Sequence, residues 1–164
     1  KFGRIYMYKD LKEINKTHGP EPLEDNFTIN WLLKNLKKKK RNIKALLLDQ
    51  SFISGLGNIY VDESLWESGI HPNSISCSIP KPKILKLHNS IQNILREAIN
   101  QLGTTFINFS FLNGQSGNYS NELKIFGKQG EACRNCGSII KKIKVAGRGT
   151  HVCTKCQKTH KPRK

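Results

Sequence analysis

Four of the five cysteines fall into two identical CxxC pairs, and this spacing is the strongest chemical signal in the chain. The pairs are separated by sixteen residues and consist of Cys133 with Cys136 and Cys153 with Cys156. Two such turns complete a tetrahedral Zn²⁺ site of four thiolates, which leaves no position open for water or substrate. Disulfides are the alternative, but the spacing is typical of zinc sites. We therefore predict one structural zinc ion. The fifth cysteine, Cys77, is expected to be a small apolar filler.

The segment between the cysteine pairs predicts a β-hairpin with an arginine at its tip. Alternating isoleucine, lysine and valine residues lead to Arg148, which lies between Gly147 and Gly149. A guanidinium on such a tip can reach a phosphate with two parallel hydrogen bonds. A surface arginine without a ligand is the alternative reading. His151 and His160 are expected to be surface histidines and not metal ligands.

A second candidate site lies in the stretch GLGN, where a tight turn precedes a helix. Gly55 and Gly57 permit backbone angles that other residues resist, and Asn58 is a favoured N-cap type. Asp62 and Glu63 are expected in the first turn, where negative charge suits the helix dipole. Free N–H groups at such a start can bind a phosphate oxygen. The alternative is a helix–loop–helix corner whose glycines serve only the turn.

The charge of the chain favours a polyanion as partner. There are 28 Lys and Arg residues against 12 Asp and Glu, a formal net charge of +16. Part of this charge is clustered at Lys34, Lys37 to Lys40, Arg41 and Lys44, although a charge run is often only a solvated surface. No apolar stretch approaches 18 residues, which disfavours a membrane protein. Clustered positive charge is typical of nucleic-acid binding.

Several motifs, taken in their order along the chain, decide between a nucleic-acid-binding and a purely structural interpretation. The stretches GPEPL, LLLDQ, GLGNIYVDESLW, GIHP and GTT resemble the formamidopyrimidine-DNA glycosylase (MutM) family, and the likeness covers almost the whole chain. The resemblance implies a mainly α fold: a helix–two-turns–helix domain, then a small β-hairpin zinc finger, with a short N-terminal β remnant. The expected boundaries are 1–16 for that remnant, 17–122 for the helical domain, 123–157 for the finger and 158–164 for a disordered basic tail.

The resemblance also assigns roles on DNA. Asn58, with the amides of Ile59 and Tyr60, would hold a phosphate beside the flipped nucleotide, and Arg148 would lie beside the same phosphate. Lys44 is a weaker third candidate. Phe2 would wedge into the duplex where the base has left, although it could equally be a core residue of the missing sheet.

A loop implied by the resemblance would close over the damaged base. It includes Thr104, Thr105, Asn118 and Tyr119, and the sequence departs from the family there at residues 107–108. Phe126 stands where the family usually has tyrosine. Glu21 and Glu63 would lie behind the catalytic amine, with a structural salt bridge as the alternative for Glu21.

Helical periodicity predicts the elements that carry these residues. Thr28 should cap a helix that ends near Leu36 and buries Trp31. A long amphipathic helix should begin at the prolines Pro80 and Pro82 and end before Gly103. Its expected inward residues are Ile84, Leu87, Ile91, Ile94, Leu95, Ala98 and Ile99.

The function implied by the resemblance is repair of oxidised purines by a bifunctional DNA glycosylase and AP lyase. Its nucleophile would be an N-terminal proline amine beside a glutamate, in a domain expected to precede this chain. The chain alone is therefore expected to bind double-stranded DNA with oxidised bases or abasic sites, as a monomer in the cytoplasm without membrane contact. The other hypothesis is a non-catalytic zinc-ribbon module that binds nucleic acid.

Overall fold

The computed structural model describes residues 7, 10, 17–104 and 117–162. Of the β remnant expected over 1–16, the structure describes only residues 7 and 10, and the loop residue Thr105 lies outside the described residues. In the described part, four α-helices precede one antiparallel β-hairpin, and short 3-10 turns occupy Ser76–Ser78 and Tyr119–Glu122. The elements are α1 (Ile29–Lys37), α2 (Ile43–Leu47), α3 (Asn58–Ser68), α4 (Lys81–Asn100), β1 (Lys141–Val145) and β2 (Arg148–Val152). The predicted mainly α fold with a hairpin finger is confirmed.

The helices pack around one apolar core, which begins with α1. The Thr28 hydroxyl accepts the N–H of Trp31 at 3.1 Å and caps the helix as predicted. Leu32 and Leu36 then lie on the buried face, because residues four apart share one side of a helix. No helix among the described residues combines the length and the apolar character needed to span a bilayer.

Helix α4 is the long amphipathic helix that the periodicity predicts. Pro80 is its N-cap and Pro82 lies in its first turn, where a missing N–H is tolerated. Its buried stripe runs from Ile84 to Ala98. Ile99, predicted to face inward, is 62% exposed. Each residue turns the helix by about 100°, so the position after Ala98 points away from the core.

The turn before α3 differs from the prediction in one respect. Gly55 has a φ of 75°, as expected of a glycine turn, but the N-cap is Gly57 and Asn58 is already the first helical residue. The Asn58 side chain therefore does not cap its own helix. Asp62 and Glu63 lie beyond the first turn and are buried, so they do not serve the helix dipole as predicted.

The GPEPL segment is attached to the turn between α2 and α3. The Gly19 N–H donates to the Gln50 carbonyl at 2.8 Å, and the Ser54 N–H donates to the Pro20 carbonyl at 3.1 Å. A Cβ at Gly19 would lie 2.1 Å from the Phe52 carbonyl oxygen. This close backbone approach explains why a glycine opens the motif.

The finger packs on α3 and is also connected to the helices by its C-terminal end. Trp66 of α3 shares a buried cluster with Ile125, Ile140 and the cysteine turns. Beyond β2, the Lys158 N–H donates to the Gly69 carbonyl at 3.1 Å, and the Lys158 carbonyl accepts the His71 N–H at 3.0 Å. The chain from residue 158 to 160 is therefore paired with the helical part.

Replacing Gly19 with alanine should lower the free energy of unfolding by about 2 kcal/mol, because a methyl group cannot fit against the Phe52 carbonyl. Urea denaturation at fixed zinc concentration measures the change. Gly149→Ala is the matched control, since its Cβ would meet only the end of the Lys142 side chain at 3.4 Å. Equal stability of the two variants would contradict the packing argument.

Candidate metal centre and nucleic-acid interface

The four predicted ligands meet at one point of the finger. The sulfur atoms of Cys133, Cys136, Cys153 and Cys156 all lie within 4.8 Å of one another. The Sγ of Cys133 is 3.9 Å from that of Cys156, and the Sγ of Cys136 is 3.5 Å from that of Cys153. Zn–S bonds of about 2.3 Å in a tetrahedron require S–S separations of roughly 3.8 Å. A disulfide requires about 2.05 Å, so the arrangement fits a metal ion.

Local backbone geometry and electrostatics prepare this site. Gly137 has a φ of 71° and its N–H donates to the Cys133 carbonyl at 2.8 Å, which closes the first cysteine turn. Hydrogen bonds from Ser138 lower the pKa of Cys136 to about 6, which favours the thiolate that a metal binds. Burial and the neighbouring sulfurs raise the pKa of Cys156. Four crowded thiolates require a cation between them.

Asn58 and Arg148 are ninety residues apart in sequence but neighbours in space. The Asn58 Nδ2 donates to the carbonyl oxygen of Gly149 at 3.2 Å, directly after Arg148 in β2. Arg148 is exposed, and within the described part of the chain its guanidinium makes no hydrogen bond or ion pair. No side chain caps the N-terminus of α3. The start of α3 therefore lies directly beside the strand that carries Arg148.

Lys44, unlike Arg148, is buried, and the prediction that it contacts DNA is wrong in this structure. Its side chain is 0% exposed. The Nζ donates to Asp62 Oδ1 at 2.6 Å, to Thr150 Oγ1 at 2.7 Å and to the Gly149 carbonyl at 3.4 Å. Burial lowers the pKa of Lys44 and raises that of Asp62, and their mutual attraction opposes both shifts. The three donors of the ammonium are satisfied inside the protein.

His151 is also buried, contrary to the expectation of a surface histidine. Its backbone N–H donates to Asp62 Oδ2 at 2.9 Å, and its Nε2 lies 2.9 Å from Gln129 Oε1. Burial lowers the pKa of His151, and the positive charges of Lys142 and Lys44 lower it further. It is not among the four residues whose ligand atoms cluster in the finger.

Glu63 attaches α3 to the segment that enters the finger. Its carboxylate accepts the backbone N–H groups of Lys124, Ile125 and Phe126 at 2.8 to 3.1 Å. Burial raises its pKa, while these hydrogen bonds act in the opposite direction. This placement gives Glu63 a structural role, and its position behind a catalytic amine stays a prediction.

The predicted lesion loop has a fixed base. Thr104 and Asn118 form an antiparallel bridge that joins the two ends of the loop. Tyr119 is 3% exposed and packs near Tyr60, whose hydroxyl lies 3.1 Å from the Thr104 hydroxyl. Tyr119 is thus buried at the base of the loop, whereas Asn118 is exposed. Thr105 lies outside the described residues.

Glu21, the other predicted site residue that the structure describes, lies away from this interface. Glu21 is exposed and lines a cavity of about 350 Å³ beside the GPEPL segment. Phe2 lies outside the described residues. In the basic cluster, Lys37 donates to the Cys77 and Ile79 carbonyls, and Arg41 pairs with Asp49 at 2.7 Å. Part of that cluster is therefore structural.

Comparison with known families accounts for both halves of the chain. Residues 18–110 match the family described as the formamidopyrimidine-DNA glycosylase H2TH domain, and residues 130–159 match the zinc finger found in FPG and IleRS. The first match alone covers more than half of the chain. The chain belongs to the formamidopyrimidine-DNA glycosylase family.

Relatives and solved structures of the family agree. The formamidopyrimidine-DNA glycosylase of Lactobacillus johnsonii is 45% identical over 98% of this chain and 60% of its own length. The Lactococcus lactis Fpg, solved with DNA containing an abasic site, superposes with a TM-score of 0.84 at 43% identity, covering 90% of this chain and 54% of that one. The MutM protein of Thermus thermophilus gives a TM-score of 0.84 at 34% identity, covering 91% and 57%. The chain spans about 60% of the length of the curated glycosylases it matches.

The family match confirms the predicted resemblance and the structural zinc site. Sequence reasoning missed the roles of Asp62 and Thr150, which surround Lys44. One signal was present, because Lys44 is the only charge in the apolar stretch 43–48 and such a charge requires a buried partner.

Removal of the metal should unfold the finger, since thiolate ligation and folding of the finger are one equilibrium. We expect one zinc per chain by metal analysis and loss of hairpin amide protection after chelation, as measured by hydrogen exchange. Cys136→Ser should also lose zinc and hairpin protection, whereas Cys77→Ser, outside the cluster, should retain one zinc per chain. A metal-free protein with paired, oxidised cysteines would contradict the assignment.

Proposed function

We propose that this chain is the DNA-binding part of a bifunctional glycosylase and AP lyase for oxidised purines, and that Asn58 and Arg148 hold one phosphate of the duplex. The observation that carries the proposal is the hydrogen bond from Asn58 to Gly149, which brings the start of α3 and the hairpin together. The net charge of +16 supports a DNA partner. Related structures contain abasic-site DNA and Fapy-dG DNA.

The two residues would bind the phosphate in different ways. Arg148 supplies a full charge and a planar pair of donors, which match two phosphate oxygens. Asn58 supplies a neutral amide at the positive end of α3, where the N–H groups of Ile59 and Tyr60 add to the field. Contacts of this kind position a duplex without reading its sequence.

The loop and the N-terminal segment would act on the damaged nucleotide. The bridge between Thr104 and Asn118 holds the ends of the loop next to Tyr60, two residues from Asn58. We propose that the loop, with Thr105, covers an extruded base while the phosphate contact holds its backbone. Phe2 would fill the space left in the duplex, because an inserted apolar ring offsets part of the lost stacking.

Covalent chemistry would require groups beyond this chain. The family resemblance assigns the attack on C1′ to a proline amine, which forms a Schiff base while a glutamate moves protons. The chain in hand spans about 60% of its relatives' length. We propose that it contributes duplex binding and nucleotide extrusion, as a monomer in the cytoplasm.

Replacing Arg148 with alanine should lower the slope of log affinity against log salt by about one unit, because one phosphate contact and its released counterion are lost. Asn58→Ala should weaken binding and leave the slope unchanged, since a neutral amide releases no counterion. Titration of a duplex with one abasic-site analogue, at several salt concentrations, measures both. Arg134→Ala is the matched control, an exposed arginine in the cysteine turn of the same finger. A slope unaffected by Arg148→Ala would exclude the phosphate contact.

The 164-residue chain should show no glycosylase or lyase activity of its own. Borohydride reduces a Schiff base to a stable covalent adduct, so trapping on duplex DNA with an oxidised purine or abasic site is a direct test. A full-length relative serves as the positive control. A trapped adduct from this chain would show that one of its lysines or its N-terminal amine acts as a nucleophile.

A further inference from the structure

We propose that Lys44 and Asp62 are positioning residues for the phosphate site: they set where Arg148 and Asn58 lie relative to each other and do not touch DNA themselves. The inference rests on the proposed function of Asn58 and Arg148. It assigns a role to a buried ion pair whose two partners come from α2 and α3 and whose contacts reach β2.

The first step is the connection from Lys44 to the backbone of Arg148. The Lys44 ammonium donates to Thr150 Oγ1 at 2.7 Å, and the same hydroxyl donates to the Arg148 carbonyl oxygen at 3.1 Å. A hydroxyl that accepts one hydrogen bond and donates another has a fixed orientation. Only the Thr150 hydroxyl therefore separates Lys44 from Arg148, the residue that would bind the phosphate.

The second step is the connection to Asn58. The Gly149 carbonyl accepts the Asn58 Nδ2 at 3.2 Å and also faces the Lys44 ammonium at 3.4 Å. Asp62 completes the arrangement by accepting the backbone N–H of His151 at 2.9 Å. The pair thus holds three consecutive residues, Gly149, Thr150 and His151, immediately after Arg148.

The third step is the charge balance. Both side chains of the pair are 0% exposed, so neither can reach a phosphate. The carboxylate of Asp62 is occupied by Lys44 and the His151 N–H, which leaves Arg148 uncompensated at the surface. A buried ion pair is seldom more stabilising than an apolar pair of the same size. Its contribution here is better explained by the geometry that it imposes on β2.

A double-mutant cycle tests the proposal. Lys44→Met with Asp62→Asn removes one positive and one negative charge, so the net charge of the chain stays the same. We expect this variant to lose about one unit of salt slope on the abasic-site duplex, as Arg148→Ala does. Adding Arg148→Ala to it should change the slope by less than about half a unit, because the contact is already lost.

The control is Lys83→Met, the same substitution in α4, where the Lys83 Nζ donates at 3.0 Å to the Ser68 carbonyl at the C-terminal end of α3. It lowers the net charge but should keep the wild-type slope. Circular dichroism and zinc content establish that each variant is folded. If the double variant fails to fold, Thr150→Val replaces only the hydroxyl between Lys44 and Arg148 with a methyl group, and it should lower duplex affinity and slope.

The outcomes separate this inference from the proposed function. If Arg148→Ala has no effect on the slope in the otherwise unchanged protein, the phosphate contact itself is wrong. If Arg148→Ala lowers the slope by a full unit both in the unchanged protein and in the folded Lys44→Met, Asp62→Asn background, the positioning role is overturned. A folded Thr150→Val variant with wild-type affinity and slope would overturn it as well.

Discussion

The buried ion pair between Lys44 and Asp62 lies where the helices meet the finger. The way in which the finger packs on the helices depends on this pair. Removing one partner of such a pair typically costs about 3–5 kcal/mol, because the other charge remains buried without compensation. The pair also satisfies the His151 N–H and the Thr150 hydroxyl. The finger is therefore attached to α3 by directional contacts, whereas apolar packing alone would allow it to slide.

Two independent constraints hold the finger. The four cysteine sulfurs fix its interior around one point, and Trp66 brings α3 against that point, with its indole N–H donating to Cys133 Sγ at 3.4 Å. Glu63 binds three successive N–H groups of the entering segment. A zinc site without α3 would define the fold of the hairpin but not its orientation relative to the helices. The position of Arg148 relative to α3 therefore depends on contacts from both the helical part and the finger.

The features that could be predicted from sequence are those whose cause is local. The CxxC turns, the cap at Thr28 and the period of α4 depend on residues a few positions apart. The environments of Lys44, Asp62 and His151 depend on partners 18 to 106 positions away, and nothing in the spacing predicts them. For the same reason Asp62 and Glu63, assigned to the helix dipole, instead bind the finger. A motif that carries a buried charge indicates that a partner exists without identifying it.

Helix α3 connects the proposed phosphate site to the base of the predicted lesion loop through its first turn. Asn58 contacts the hairpin at Gly149, and Tyr60, two residues later, contacts Thr104 at the base of the loop. These side chains leave the helix about 200° apart, so one turn reaches two separate segments. A phosphate bound at Asn58 would therefore rest on the same helix that contacts the base of the loop. Both contacts come from one helical turn, so α3 links the hairpin directly to the base of the loop.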